Sequence, residues 1–192
     1  MKWIVLAILL CLVPYTVLTL RYRKPGPAFR PYEDLKNRAN VSRLLAAGYR
    51  RIPLATERPA DPMRPTATAP VSIAAGGLPS PLASTLVEPP LLPGVIDRVA
   101  APAVANARKP YVLRFSCTLP DHHRQPAGAD LYVKDDQLVI APDFEKIPGE
   151  LLARTNDSII QLTVPAGTLK AGTYRVTLVG QQSSRTWTLQ VH

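Results

Sequence analysis

GTYRVTLVGQQSSRTWTLQV, residues 172–191, alternates apolar and polar side chains on either side of a short polar turn. Trp187, Leu189 and Val191 fall on one side of the second run, and Thr186, Thr188 and Gln190 on the other. That period of two is the mark of a half-buried strand. Tyr174, Val176 and Leu178 keep the same rhythm in the first run and face them. Two such runs joined across Gly180–Ser183 predict a hairpin. A lone hairpin buries too little to stand in water, so further strands are needed.

Working outward, the strands are there. Tyr111, Leu113, Phe115 and Cys117 alternate with Val112, Arg114 and Ser116. Leu131–Val133, the Asp135-Asp136 turn and Gln137–Ile140 predict a second hairpin, and Ser158–Val164 another strand. The Pro165-Ala166-Gly167 turn and the Gly172-Thr173-Tyr174 strand start resemble the late strands of immunoglobulin-like domains. Six or seven short strands over residues 111–192 predict a small all-β, immunoglobulin-like sandwich at the C-terminal end.

The chemistry this domain offers is sparse. Cys117 with His122 and His123 forms the best candidate metal set, because a soft thiolate and two imidazoles suit copper or zinc. The spacing matches no zinc pattern, however, and Cys117 falls on the inward stripe. Asp135, Asp136, Asp143 and Glu145 lack the Gly and spacing of a calcium loop. There is no nucleophile elbow and no phosphate-cradling Gly loop, so no enzyme is expected.

Before the sandwich, residues 53–110 hold twelve prolines among Ala, Thr, Ser, Leu and Val. Proline removes backbone donors and blocks helix, which predicts a Pro/Ala-rich disordered spacer. Extended, it would reach roughly 100 Å or more. Two patches, Leu82–Val87 and Leu91–Val99, are more apolar than a linker requires. They suit a partner contact or a short edge strand.

Residues 25–52 form a basic neck. A short amphipathic helix is expected from Pro31 to Ala47, with proline in its first turn, Glu33 and Asp34 at its positive end and Gly48 as its cap. Leu35, Ala39, Ser42, Leu45 and Tyr49 give it one modestly apolar stripe. Arg50 and Arg51 come directly after it. Earlier still, WIVLAILLCLVPYTVLTL (residues 3–20) carries no charge and is bounded by Lys2 and by Arg21, Arg23 and Lys24. About 18 apolar residues suffice to cross a hydrocarbon core of about 30 Å. With no small-x-small cleavage site, residues 1–24 are read as a single transmembrane helix, an uncleaved anchor with a basic flank.

The chain has a formal net charge of +9, unevenly placed. From residue 21 to 64 there are eleven Lys and Arg against four Asp and Glu, a surplus of seven. From 111 to 192 the count is eight against eight. The charge therefore belongs to the neck, where lipid phosphates or a membrane partner are the expected contacts, and no nucleic-acid motif is present. Arg21, Arg23, Lys24, Leu35, Leu45, Arg50 and Arg51 are the candidate membrane- or partner-binding residues.

The positive-inside rule would keep the residues after the anchor in the cytoplasm, but it weakens for long segments. A sandwich on a spacer suits the periplasmic side of an inner membrane. The expected function is a non-enzymatic, single-pass membrane protein, an accessory subunit or assembly factor of a membrane complex. In layout it resembles the FixH-type proteins linked to cytochrome oxidase assembly, which pair one anchor with one β domain. A copper-delivery protein using Cys117, His122 and His123, and a cell-envelope or carbohydrate-binding module, are the alternatives.

Overall fold

The computed structural model describes residues 2–3, 10, 12–17, 21, 31–59, 68–147 and 155–192. The chain divides into two compact units, Met1–Lys36 and Asn37–His192. In the first, residues 12–17 are helical, and the Thr16 hydroxyl donates to the Leu12 carbonyl at 2.7 Å. Among the described residues no helix is long and apolar enough to cross a membrane. Most of the expected anchor, residues 3–20, lies outside them.

The second unit is mostly β structure in two sheets. Helix α1 covers Pro31–Ala46, and its residues from Asn37 onward belong to this unit. Then come β1 (Arg50–Pro53), β2 (Ala55–Glu57), β3 (Ser72–Ala75), α2 (Ser80–Thr85), β4 (Val95–Ala100) and β5 (Val104–Ala105). The remaining strands are β6 (Tyr111–Thr118), β7 (Arg124–Lys134), β8 (Gln137–Lys146), β9 (Asp157–Val164), β10 (Gly172–Leu178) and β11 (Ser183–Val191). The larger sheet runs β1-β7-β8-β10-β11-β3, with β5 also pairing β11, and the smaller runs β2-β9-β6-β4. Only β8–β10 and β5–β11 pair in parallel among the described strands.

Both expected hairpins form. Lys134 pairs with Gln137 around Asp135-Asp136, and Asp135 takes a positive φ of 50°. In the last hairpin Val176 opposes Trp187, and Tyr174 opposes Leu189. Between the sheets lie Leu113, Phe115, Leu131, Ile140, Ile160, Leu162, Leu178 and Leu189, all essentially without exposure. Inside this core the indole N–H of Trp187 donates to the Tyr111 hydroxyl at 3.3 Å, which donates to the Pro102 carbonyl at 3.0 Å.

The spacer expected over residues 53–110 is corrected by the structure. Its described residues carry β2, β3, α2, β4 and β5, and the unit starts at Asn37 rather than at residue 111. The prolines punctuate elements instead of abolishing them. Pro53 ends an edge strand, Pro79 and Pro81 open α2, and Pro110 directly precedes β6. Each of those positions tolerates a missing N–H. The patch at Leu82–Val87 becomes α2 and the start of the next loop, and Leu91–Val99 contains much of β4, an edge strand of the smaller sheet.

These segments cover the outer face of the larger sheet. Leu44 of α1, Tyr49, and Leu82 and Leu86 at α2 form a second core with Tyr132, Val139, Ala141 and Val179. Tyr132 and Val139 alternate with the inward Leu131 and Ile140, so the larger sheet is buried on both faces at β7 and β8.

A candidate binding face at the start of the domain

Residues 43–49 set the geometry. The N–H of Gly48 donates to the Leu45 carbonyl at 3.0 Å, and that of Tyr49 to the Leu44 carbonyl at 2.8 Å. Gly48 has φ +80°, the left-handed conformation that a Schellman stop requires. Leu44 and Tyr49 meet in the outer core, the apolar contact that accompanies this motif. The chain therefore turns directly from α1 into β1.

Beyond Pro53, Leu54 is buried and its N–H donates to the Ala129 carbonyl at 2.9 Å. The chain then crosses to the other sheet, since β1 pairs with β7 and β2 with β9. One continuous stretch thus edges both sheets.

Between α1 and β1 lies an open groove of about 320 Å³. Val41, Leu44 and Leu45 form its helical wall, and Tyr49, Pro53 and Asp130 are on the strand side with Arg50 and Arg51. Val41 is 45% exposed and Leu45 64%, while Leu44 and Tyr49 are buried. The Arg51 guanidinium meets the Asp130 carboxylate at 2.8 Å, and that bond raises the Arg51 pKa further. Arg50 donates to the Thr168 carbonyl at 2.6 Å. The Lys134 ammonium stands 4.9 Å from the centre of the Tyr49 ring, a cation–π contact that backs the turn.

Three of the candidate contact residues, Leu45, Arg50 and Arg51, meet at this groove. Leu35 is exposed but belongs to the first unit, and Arg21 is exposed there as well. Arg23 and Lys24 lie outside the described residues. Of the expected stripe, Leu35, Ala39, Ser42 and Leu45 are exposed and Tyr49 is buried, and Leu44, which lies outside that stripe, is the residue that anchors the helix to the core. Val41, one turn before Leu45, was legible as i,i+4 spacing. Asp130 was not, since nothing local ties it to residue 51.

The metal set does not assemble. Cys117 lies in the sandwich core, fully buried on β6. Burial, more than the nearby Asp97 and Asp157, pushes its thiol up to about 12, so it keeps its proton at neutral pH. His122 and His123 are exposed in the turn before β7. Among the described residues no group of three ligating side chains is placed to hold a metal ion.

On β8, Asp143 clamps the loop after α2, accepting from the Leu91 N–H at 3.0 Å while the Phe144 N–H donates back to the Leu91 carbonyl at 3.1 Å. Burial raises the Asp143 pKa despite those bonds.

No protein-family model matches this chain, and neither a curated protein nor a solved structure is significantly similar to it.

Proposed function

We propose that this chain is a non-enzymatic, single-pass membrane protein that works by binding, as an accessory subunit or assembly factor of an integral membrane complex. Residues 3–20 would anchor it, and the immunoglobulin-like sandwich would stand on the periplasmic side. The supporting observation is the convergence of Leu45, Arg50 and Arg51 on one open groove at the start of the domain. Exposed apolar side chains and surplus arginine are found together there, whereas residues 111–192 balance eight cations against eight acids. An exposed apolar patch rimmed by charge is the usual form of an interaction site.

The test uses the full chain, extracted from its native membranes in mild detergent and run on a native gel. The expected result is an assembly larger than the chain with its own micelle. Migration as a single detergent-bound chain at all detergent levels would contradict an accessory-subunit role.

A further inference from the structure

We propose that β3 is a self-pairing edge, which adds antiparallel to β3 of a second copy of this chain about a two-fold axis and joins two larger sheets into one.

The edges of the two sheets are not built alike. β1 carries Arg50 and Arg51 and ends in Pro53. β2 has three residues and includes Glu57. β4 bulges between Ile96 and Arg98 and carries the charges of Asp97 and Arg98. Proline, charge and bulges are the devices that keep an edge from pairing. β3, Ser72-Ile73-Ala74-Ala75, has none of them, and its register with Ser183–Thr186 is unbroken. No other described strand pairs with its outer side.

The edge is also held in place at both ends. Before it, the Ala69 N–H donates to the Ala101 carbonyl at 2.7 Å, and Val71 packs on the core. After it, the Gly77 N–H donates to the Gly180 carbonyl at 2.8 Å, and Gly76 leaves no room for a Cβ against the Gln181 carbonyl. A strand fixed in this way gives up little freedom when a neighbour adds to it.

Charge and shape select a second copy as that neighbour. The chain carries no charge from residue 65 to residue 87, so two copies meet without the like-charge opposition that destabilises strand pairs. Ser72, Ala74 and Ala75 offer little side chain with which to select a foreign strand, and selection in strand addition comes from side-chain pockets. Ile73 supplies the self-complementary contact. In register with Arg185, and in step with Trp187 and Leu189, it stands on the core-facing side of the sheet, yet it is 74% exposed. A two-fold axis relating antiparallel neighbours stands normal to the sheet. Both Ile73 side chains then fall on one face, opposite or diagonal to each other, and each covers the other. The pairing uses up both edges, so the assembly closes at two copies. Four residues a side make a small interface, so the dimer is reversible.

The test is sedimentation equilibrium of the purified full-length chain in density-matched detergent. Its mass is expected to rise with concentration from one copy to two and to stop there. Ile73→Lys and Ile73→Glu should each stay at one copy with an unchanged melting temperature, read by Trp187 fluorescence, because Ile73 is exposed. An equimolar mixture of those two variants should recover the two-copy mass, since opposite charges then face each other. Leu45→Lys, far from this edge in the strand order, should dimerise like wild type. One copy at every concentration for the wild type would overturn the proposal. So would a two-copy mass that Ile73→Lys leaves intact, growth beyond two copies, or a mixture that stays at one. The chain is purified, so no partner complex contributes to the mass, and failure of the accessory role shows separately.

Discussion

At neutral pH Cys117 is a protonated thiol packed against apolar side chains, because burial would strip water from a thiolate there and, with Asp97 and Asp157, outweighs the pull of Arg58. A disulfide reagent is therefore expected to leave Cys117 unmodified in the native protein and to react fully in denaturant; rapid native reaction would mean that the core opens. Asp143 is the converse case of a carboxyl that stays useful while disfavoured as an anion. Its folded pKa is raised, so its ionisation opposes folding. The stability linked to this group is complete below the ordinary carboxyl range and is lost as pH rises through the raised folded value. Asp143→Asn keeps the acceptor for the Leu91 N–H and removes the charge. The variant is expected to melt higher than wild type at pH 7, with the difference vanishing below about pH 4. A constant difference at every pH would assign the effect to packing.

Among the elements, β6, β9 and β11 were legible along most of their length, β7 and β8 only beside the turn that joins them, and the shortest strands were not legible. β6 and β11 alternate over eight and nine residues, enough for a period of two to stand out. β1, β2, β3 and β5 have four, three, four and two residues, too few to show any period. Proline density is then the strongest local signal, although proline at strand ends and helix starts is compatible with order. α2 shows what that signal conceals. It has six residues, two neighbouring prolines at its start and one fully buried side chain, Leu82. Leu82→Ala is expected to cost about 2–5 kcal/mol, or roughly 5–15 °C in Tm, monitored by Trp187 fluorescence. In a free spacer the same substitution would leave Tm unchanged. Of the candidate site, Leu45, Arg50 and Arg51 were legible as apolar and basic residues around a helix stop. Asp130 and Thr168, which fix the two arginines, come from distant strands and loops and leave no local trace.

At the scale of the molecule, the domain is closed by residues that precede its most regular strands. β1 and β2 edge the two sheets, β3 and β4 edge them on the opposite side, and α1 and α2 cover the outer face over β7 and β8. A fragment of residues 111–192 would therefore expose β7 and β9 as open edges and leave Tyr132 and Val139 uncovered. Residues 37–192 are expected to give a dispersed amide NMR spectrum, and residues 111–192 a collapsed or aggregated one. A well-dispersed spectrum from the shorter fragment would contradict the single-unit description. The same architecture ties the α1–β1 groove to the sandwich, because α1 and its Schellman stop pack in the outer core while β1 pairs with β7. A binding event at Leu45 would then orient the whole domain.

That claim is tested most directly by thiol labelling in the native membrane. Leu45→Cys and Thr188→Cys, each in a full-length Cys11→Ser chain, are exposed to a membrane-impermeant maleimide in cells with a permeabilised outer envelope. Thr188→Cys is expected to label at once, and Leu45→Cys only after detergent releases the face from its partner complex. Equal labelling of both would show the α1–β1 face to be open water-facing surface, and labelling of neither before lysis would put the domain on the cytoplasmic side; either result contradicts the account.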